Sequence, residues 1–288
     1  MKLIKHTFEF LIIISLFLIF KLVGLRISQI IAGFIFKNFG PLFRSKKTSY
    51  ANLSIAFPNL NDLQKNKIMN NVWINYGKIF SEYMFIEKFR TSPKFSNQII
   101  IENQSELEKI KLSNKPVIFI SGHFNNFELM AMMIEKYGID LSAIYRPLNN
   151  IFLNKTMEKI RIKHICKKQI KKGRSGTREI IENLKKGSSI ALMIDQRVRE
   201  GSKVNFFGSL ATTTTIPAQL VKKYKCDLVP IYIERRSKFH FKMYVSKPIK
   251  VSESKTIEEI TQFLNTVLEQ MIVKNPLQWI WTHDRWKK

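Results

Sequence analysis

Hydrophobic positions crowd together between Leu3 and Phe39 before any alternation with polar residues sets in. The densest run is FLIIISLFLIF, the eleven uncharged residues from Phe10 to Phe20, and only Lys21, Arg26 and Lys37 interrupt the largely apolar stretch that follows. Eleven residues are short for a bilayer span, which takes about 20. Counting Leu3 and Ile4 before the run and Leu22, Val23 and Leu25 after it, the segment reaches across if Lys21 snorkels. No small-x-small cleavage site follows Phe20, so the segment reads as an uncleaved anchor or interfacial helix rather than a removed signal peptide.

Past this segment two other periods appear. From Asp62 to Phe89 the apolar residues Leu63, Ile68, Val72, Ile79 and Phe80 recur at roughly helical spacing, disturbed only by Gly77, and predict one or two helices. KPVIFIS is a short continuous apolar run opened by a proline and reads as a fully buried strand, followed by a helix in FELMAMMIEKYG that closes at Gly138. LSAIYRP, SSIALMID, LVPIYIERR and FHFKMYV predict four further strands, with a helix from Arg178 to Lys186 stopping at Gly187. A last helix begins with a capping-box pattern, Thr256 to Glu259. Strands alternating with helices imply an α/β fold, an αβα sandwich with a mixed sheet, preceded by the N-terminal hydrophobic anchor helix. No repeat, low-complexity tract or proline-rich linker divides the remainder. The only break in composition lies near residue 45, so residues 1–45 are expected as the membrane segment and 46–288 as one domain.

Charge narrows the partners. Lysine and arginine number 48 against 22 acidic residues, a formal charge of +26, far beyond what solubility requires. Nucleic acid and an anionic membrane surface both fit that charge, and the apolar N-terminal segment favours the membrane. Lys37, Arg44, Lys46 and Lys47 beyond it would, by the positive-inside tendency, hold the rest of the chain in the cytoplasm. Cys166 and Cys226 are sixty residues apart without metal-ligand spacing, so buried free thiols are expected, with neither a disulfide framework nor a metal site.

The candidate chemistry lies in SGHFNNFE. His123 and Glu128 are i and i+5, about 140° apart on a continuous helix, where they do not meet. They meet if His123 lies in a loop and the helix begins at Asn125 or Asn126, since asparagine is a favoured N-cap. Gly122 would let the chain turn sharply after the strand. The carboxyl end of a strand in an open α/β sheet is where ligands bind. A carboxylate beside the imidazole would fix its tautomer and support the imidazolium formed on taking a proton. The same Gly-His in a turn is also compatible with a solvated or hydrogen-bonded side chain.

GHFNNFE, YRP, IDQ, VNFFG with ATTTTIPAQL, and PLQWIWTHDRWK occur in an order that resembles the late acyltransferases of lipid A biosynthesis, the lauroyl and myristoyl transferases, within the lysophospholipid acyltransferase-like superfamily. The resemblance covers nearly the whole chain. It implies transfer of an acyl chain from acyl carrier protein to the hydroxyl of a 3-hydroxyacyl chain on a lipid A precursor, at the cytoplasmic face of the inner membrane. It implies no cofactor beyond the acyl carrier protein thioester, and the residues themselves suggest no metal and carry no recognisable nucleic-acid motif; acyl carrier protein, the lipid A precursor and anionic inner-membrane lipids are the expected partners. The family's H-x-x-x-x-(D/E) pair falls on His123 and Glu128, with Glu128 orienting His123 as general base. A functional arginine falls by collinear counting on Arg161, and a functional aspartate on Asp195. The glycerolipid acyltransferases usually have aspartate where this chain has Glu128, which weakens that reading.

Read from the residues alone, Arg161 lies in a stretch dense in cations, from Lys155 to Arg178, where a guanidinium suits a lipid phosphate and most of the lysines form a solvated face. Asp195 ends an apolar strand, where it pairs with a cation, binds a hydroxyl or merely caps the strand. Arg146 ends another strand on the same edge and either lines the crevice or bridges to a neighbouring loop. Helix capping accounts for one threonine of TTTTIPAQL, and Trp279, Trp281 and Trp286 read as core packing, with His283 set aside as a base. Two other functions compete: acylation of another membrane acceptor, such as a lysophospholipid or glycolipid, and a membrane-tethered basic scaffold without chemistry.

Overall fold

A computed structural model describes residues 2–287. The chain opens with α1 (Lys2–Phe39), α2 (Lys46–Ala56), α3 (Asp62–Glu82), α4 (Ile86–Thr91) and α5 (Pro93–Ser96). Strands and helices then alternate: β1 (Ile99–Glu102), α6 (Gln104–Ser113), β2 (Ile118–Ser121), α7 (Glu128–Lys136), β3 (Leu141–Tyr145), α8 (Ile151–His164), β4 (Lys168–Lys171), α9 (Arg174–Lys185) and β5 (Ser189–Met193). A hairpin β6 (Ser202–Phe206) and β7 (Ser209–Thr213) leads to α10 (Ile216–Tyr224), β8 (Leu228–Ser237), β9 (His240–Val245) and α11 (Ile257–Lys274).

The central sheet has seven strands in the order β1-β9-β8-β2-β5-β3-β4. All neighbours are parallel except β8 and β9, which pair antiparallel, so the sheet is mixed as the strand pattern predicts. Every residue of β2 is buried, as a strand covered on both faces requires. The capping box at Thr256 and Glu259 is formed, and Asn61 with Gln64 makes another at the start of α3. β1, β4 and the β6–β7 hairpin carry no apolar run long enough to announce a strand; their neighbours in the fold complete them.

The long first helix is two helices joined at Gly24, whose φ of 80° and ψ of 165° break the α conformation. The Ser28 hydroxyl donates to the carbonyls of Phe20, at 2.9 Å, and Gly24, at 2.7 Å, satisfying groups that the break leaves without helical partners. The second half packs closely on α3: a Cβ on Gly77 would fall 2.2 Å from the Ala32 carbonyl oxygen. Gly77, which only disturbed the helical pattern in the sequence, is thus the point of closest approach. Phe17 and Phe20 from the first half and Phe36 from the second all meet the ring of Phe80. By length and composition α1 can cross a membrane. Cys166 and Cys226 are buried free thiols, and burial pushes Cys166 up to about 12.

Candidate active site

The parallel pairing of β2 with β5 aligns Ser121 with Met193, and Ile194 N donates to Ser121 O at 2.9 Å. The residues two places further on, His123 and Asp195, therefore emerge side by side at the carboxyl edge of the sheet. The Asp195 Oδ2 accepts the His123 backbone N–H at 2.7 Å and the Trp279 indole N–H at 2.9 Å, while Oδ1 lies 2.7 Å from His123 Nδ1. Asp195 is fully buried, and a carboxylate there needs such donors. Burial alone would raise its pKa, but the His123 charge and these hydrogen bonds hold it below the usual carboxylate range. Burial likewise pushes His123 down, and the charge and hydrogen bond of Asp195, with Glu128 adding to them, lift it above the ordinary imidazole value. With Nδ1–H committed to Asp195, Nε2 carries the lone pair.

Gly122 acts by its size. A Cβ there would lie 2.9 Å from the Phe124 ring, 3.0 Å from Leu268 and 3.1 Å from Asp195 Oδ2, so the absence of a side chain lets the carboxylate reach the loop.

The expected contact between Glu128 and His123 is replaced. Glu128 opens α7, buried, and its Oε1 accepts Arg161 Nε at 2.9 Å and Nη2 at 2.6 Å together with the Tyr83 hydroxyl. The carboxylate on the imidazole is that of Asp195, because strand register brings β5 beside the loop while the first turn of α7 faces α8 and the end of α3. The helix also starts later than at the asparagines. Asn125 takes a left-handed φ of 45°, and Asn125 and Asn126 spend their side chains on other partners instead of capping α7. Burial opposes the charge of Arg161, yet Glu128 and Tyr83 hold its pKa above the ordinary value. Burial and the neighbouring Glu128 charge push Tyr83 well up.

His123, Glu128, Arg161 and Arg146 line one crevice of about 860 Å³, with Asp195 behind the imidazole. Arg146 stands exposed on the rim and makes no ion pair among the described residues. Arg44, Lys171, Lys172, Arg197 and Lys287 complete a basic border, while Ile144, Ile180, Leu192 and Met193 supply apolar wall. Glu158 is taken up by Lys171, at 3.2 Å, and by the Tyr145 hydroxyl. His283 borders the crevice with its Nε2 accepting the Arg197 backbone N–H at 2.9 Å. Burial lowers its pKa.

Two site residues escaped the sequence. Trp279 and Trp281 are buried in the core as expected, but Trp279 also holds the Asp195 carboxylate. Tyr83 follows a helical stretch with no signal of its own. Of the threonines, Thr213 bonds Arg285 at 2.7 Å, and Thr215, at the cap position of α10, makes no side-chain cap.

A profile described as bacterial lipid A biosynthesis acyltransferase matches residues 2–288. The chain belongs to that family. Curated relatives of this lipid A acyltransferase family member include lipid A biosynthesis acyltransferase 2 of Shigella flexneri, 22% identical over 246 residues, 83% of this chain and 76% of the relative. The lipid A biosynthesis palmitoleoyltransferase of Escherichia coli (strain K12) is 22% identical over 252 residues, 85% of this chain and 80% of the relative. The crevice at the carboxyl edge of the sheet is accordingly the candidate active site of an acyltransferase of lipid A biosynthesis.

Proposed function

We propose that this acyltransferase moves a fatty acyl chain from acyl carrier protein to the hydroxyl of a 3-hydroxyacyl chain on a lipid A precursor, working at the cytoplasmic face of the inner membrane. The observation that carries the reading is the buried Asp195 carboxylate on His123 Nδ1 at 2.7 Å, inside a crevice bordered by cations. His123 Nε2 takes the hydroxyl proton as the oxygen attacks the thioester carbonyl. Asp195 holds the tautomer and balances the imidazolium. Collapse of the tetrahedral intermediate breaks the carbon–sulfur bond, and the imidazolium returns its proton to the leaving thiolate, yielding the ester and the free thiol of the carrier. Both thiols of the protein are buried and Cys166 is raised, so direct transfer needs no acyl-enzyme.

Glu128 and Arg161 form the second charged unit of the crevice. Arg161 holds Glu128 through two nitrogens, and the rim cations suit the phosphates of the precursor and the acidic surface of acyl carrier protein. The apolar α1, with basic residues beyond it, fits attachment to anionic inner-membrane lipids with the domain in the cytoplasm.

His123→Ala, purified and assayed with acyl carrier protein thioesters of graded chain length and a lipid A precursor, should lose turnover while keeping the wild-type melting temperature. Normal turnover by the folded variant would remove His123 from the mechanism. Product formed on a lysophospholipid but not on the lipid A precursor would reassign the acceptor.

A further inference from the structure

The backbone N–H groups from His123 to Asn126 are all bonded: to Asp195, to Gly122 O at 2.8 Å, to Gln278 O at 2.9 Å and to the Asn125 side chain at 2.7 Å. Beneath them lies a buried ion pair that the acyl-transfer chemistry does not use. Glu82, the last residue of α3, is fully buried and receives Arg235 Nη1 at 2.5 Å and Nη2 at 3.0 Å. A carboxylate at a helix carboxyl terminus opposes the helix dipole. A buried pair is also a poor source of net stability compared with apolar side chains of similar volume. What distinguishes this pair is where its remaining hydrogen bonds go. Asn126 donates to Glu82 at 2.8 Å, and Arg235 donates to Asn125 at 3.0 Å, so both asparagines between His123 and the start of α7 are held by it. Gln29, from the second half of α1, donates to Glu82 at 2.6 Å.

We propose that Glu82, Asn126 and Gln29 are positioning residues that set the His123 loop against Asp195, so that docking of the second half of α1 on α3 is a condition for turnover. The inference rests on His123 being the base. The chain of contacts is continuous from the membrane-attachment helix to a residue three places after the imidazole. It runs entirely through buried side chains, where a lost partner is not replaced by water. Displacing the loop by about an ångström is enough to cost on the order of a hundredfold in rate.

The test uses full-length Asn126→Ala and Gln29→Met, both of which leave the Glu82–Arg235 pair intact. Each should lower kcat roughly tenfold to a hundredfold with KM for both substrates unchanged, measured well below its melting temperature. Gln29→Glu, whose added charge would face Glu82, should not rescue; restoring Gln29 should. A second readout needs no turnover: labelled-histidine NMR, with the His123 signal assigned from His123→Ala. Asp195, Glu128 and Arg161 are the charged groups facing His123, and His283 is a neighbouring titratable group that both variants leave in place. As the loop loosens from Asp195, the His123 titration should move to lower pH in both variants. Wild-type kcat together with an unmoved His123 titration in both would overturn the proposal, leaving the network a purely structural one. If wild type itself fails to acylate the lipid A precursor, the acceptor assignment fails, while the titration still decides the positioning role.

Discussion

Replacing Asp195 by asparagine changes one oxygen for an NH2 group at almost constant shape, and the site geometry makes the consequence calculable. Asp195 accepts three N–H groups, from His123 N, His123 Nδ1 and Trp279 Nε1. Asparagine offers a single acceptor oxygen. Two of the three donors, the His123 backbone and Trp279, converge on Oδ2, so the amide oxygen will settle there and the NH2 will face His123 Nδ1. Nδ1 must then accept, and the imidazole proton moves to Nε2, the atom that receives the substrate proton in the proposed mechanism. In a hydrolase triad the same exchange costs about 10⁴ in kcat. A loss of a thousandfold to ten-thousandfold is expected here, about 4 to 5.5 kcal/mol of barrier.

Steady-state acyl transfer by the purified variant measures this directly. KM should stay near the wild-type value, since Asp195 is fully buried behind the imidazole and touches no substrate. The pH dependence carries a second signature. In the proposed mechanism His123 works deprotonated, and Asp195 raises its pKa, so the acid limb of kcat/KM in the wild type is expected above the ordinary imidazole value of about 6.5. Without the carboxylate that limb moves to lower pH. Wild-type kcat in a folded Asp195→Asn protein would refute the argument. So would the converse pattern, in which Glu128→Gln produced the tautomer loss and Asp195→Asn did not, for then Glu128 would be the orienting carboxylate.

Two other perturbations test separate parts of the structure. Gly77→Ala places a methyl 2.2 Å from the Ala32 carbonyl and must separate α1 from α3, at a cost of about 1 to 3 kcal/mol, seen as a lowered melting temperature; no change would mean the helices are not so closely docked. Arg161→Lys keeps the charge but gives up the two-nitrogen hold on Glu128, and should cost about 1 to 3 kcal/mol in stability along with turnover. An unchanged melting temperature and rate would show that the fork is dispensable.

Patterns that a chain displays along itself were legible in the sequence. β2, β5 and β8 are nearly continuous apolar runs, and the cap of α11 follows from Thr256 and Glu259 alone. β4, with the sequence KQIK, and β1, only four residues long, are strands because a neighbour supplies their hydrogen bonds. The same holds for Gly77. Its effect on helical propensity is visible in the sequence, whereas its purpose appears only when Ala32 of another helix lies against it.

The exchange of carboxylates on His123 has the same origin. Spacing within SGHFNNFE excludes a single helix for His123 and Glu128, but leaves open every partner outside the segment. Parallel strands paired at Ser121 and Met193 carry their following residues forward together, so 121 plus two and 193 plus two arrive at one place. A carboxylate reaching His123 that way is fixed by the register of the sheet. Glu128, by contrast, is fixed through Tyr83 and through Arg161, which itself lines the crevice. The two carboxylates therefore differ in what moves them. Asp195 holds the His123 imidazole whatever occupies the crevice, while the Glu128–Arg161 pair lies where a bound acceptor can alter it. That difference separates their variants: Asp195→Asn should lower kcat equally for every acceptor, and Glu128→Gln should do so by an amount that depends on the acceptor used.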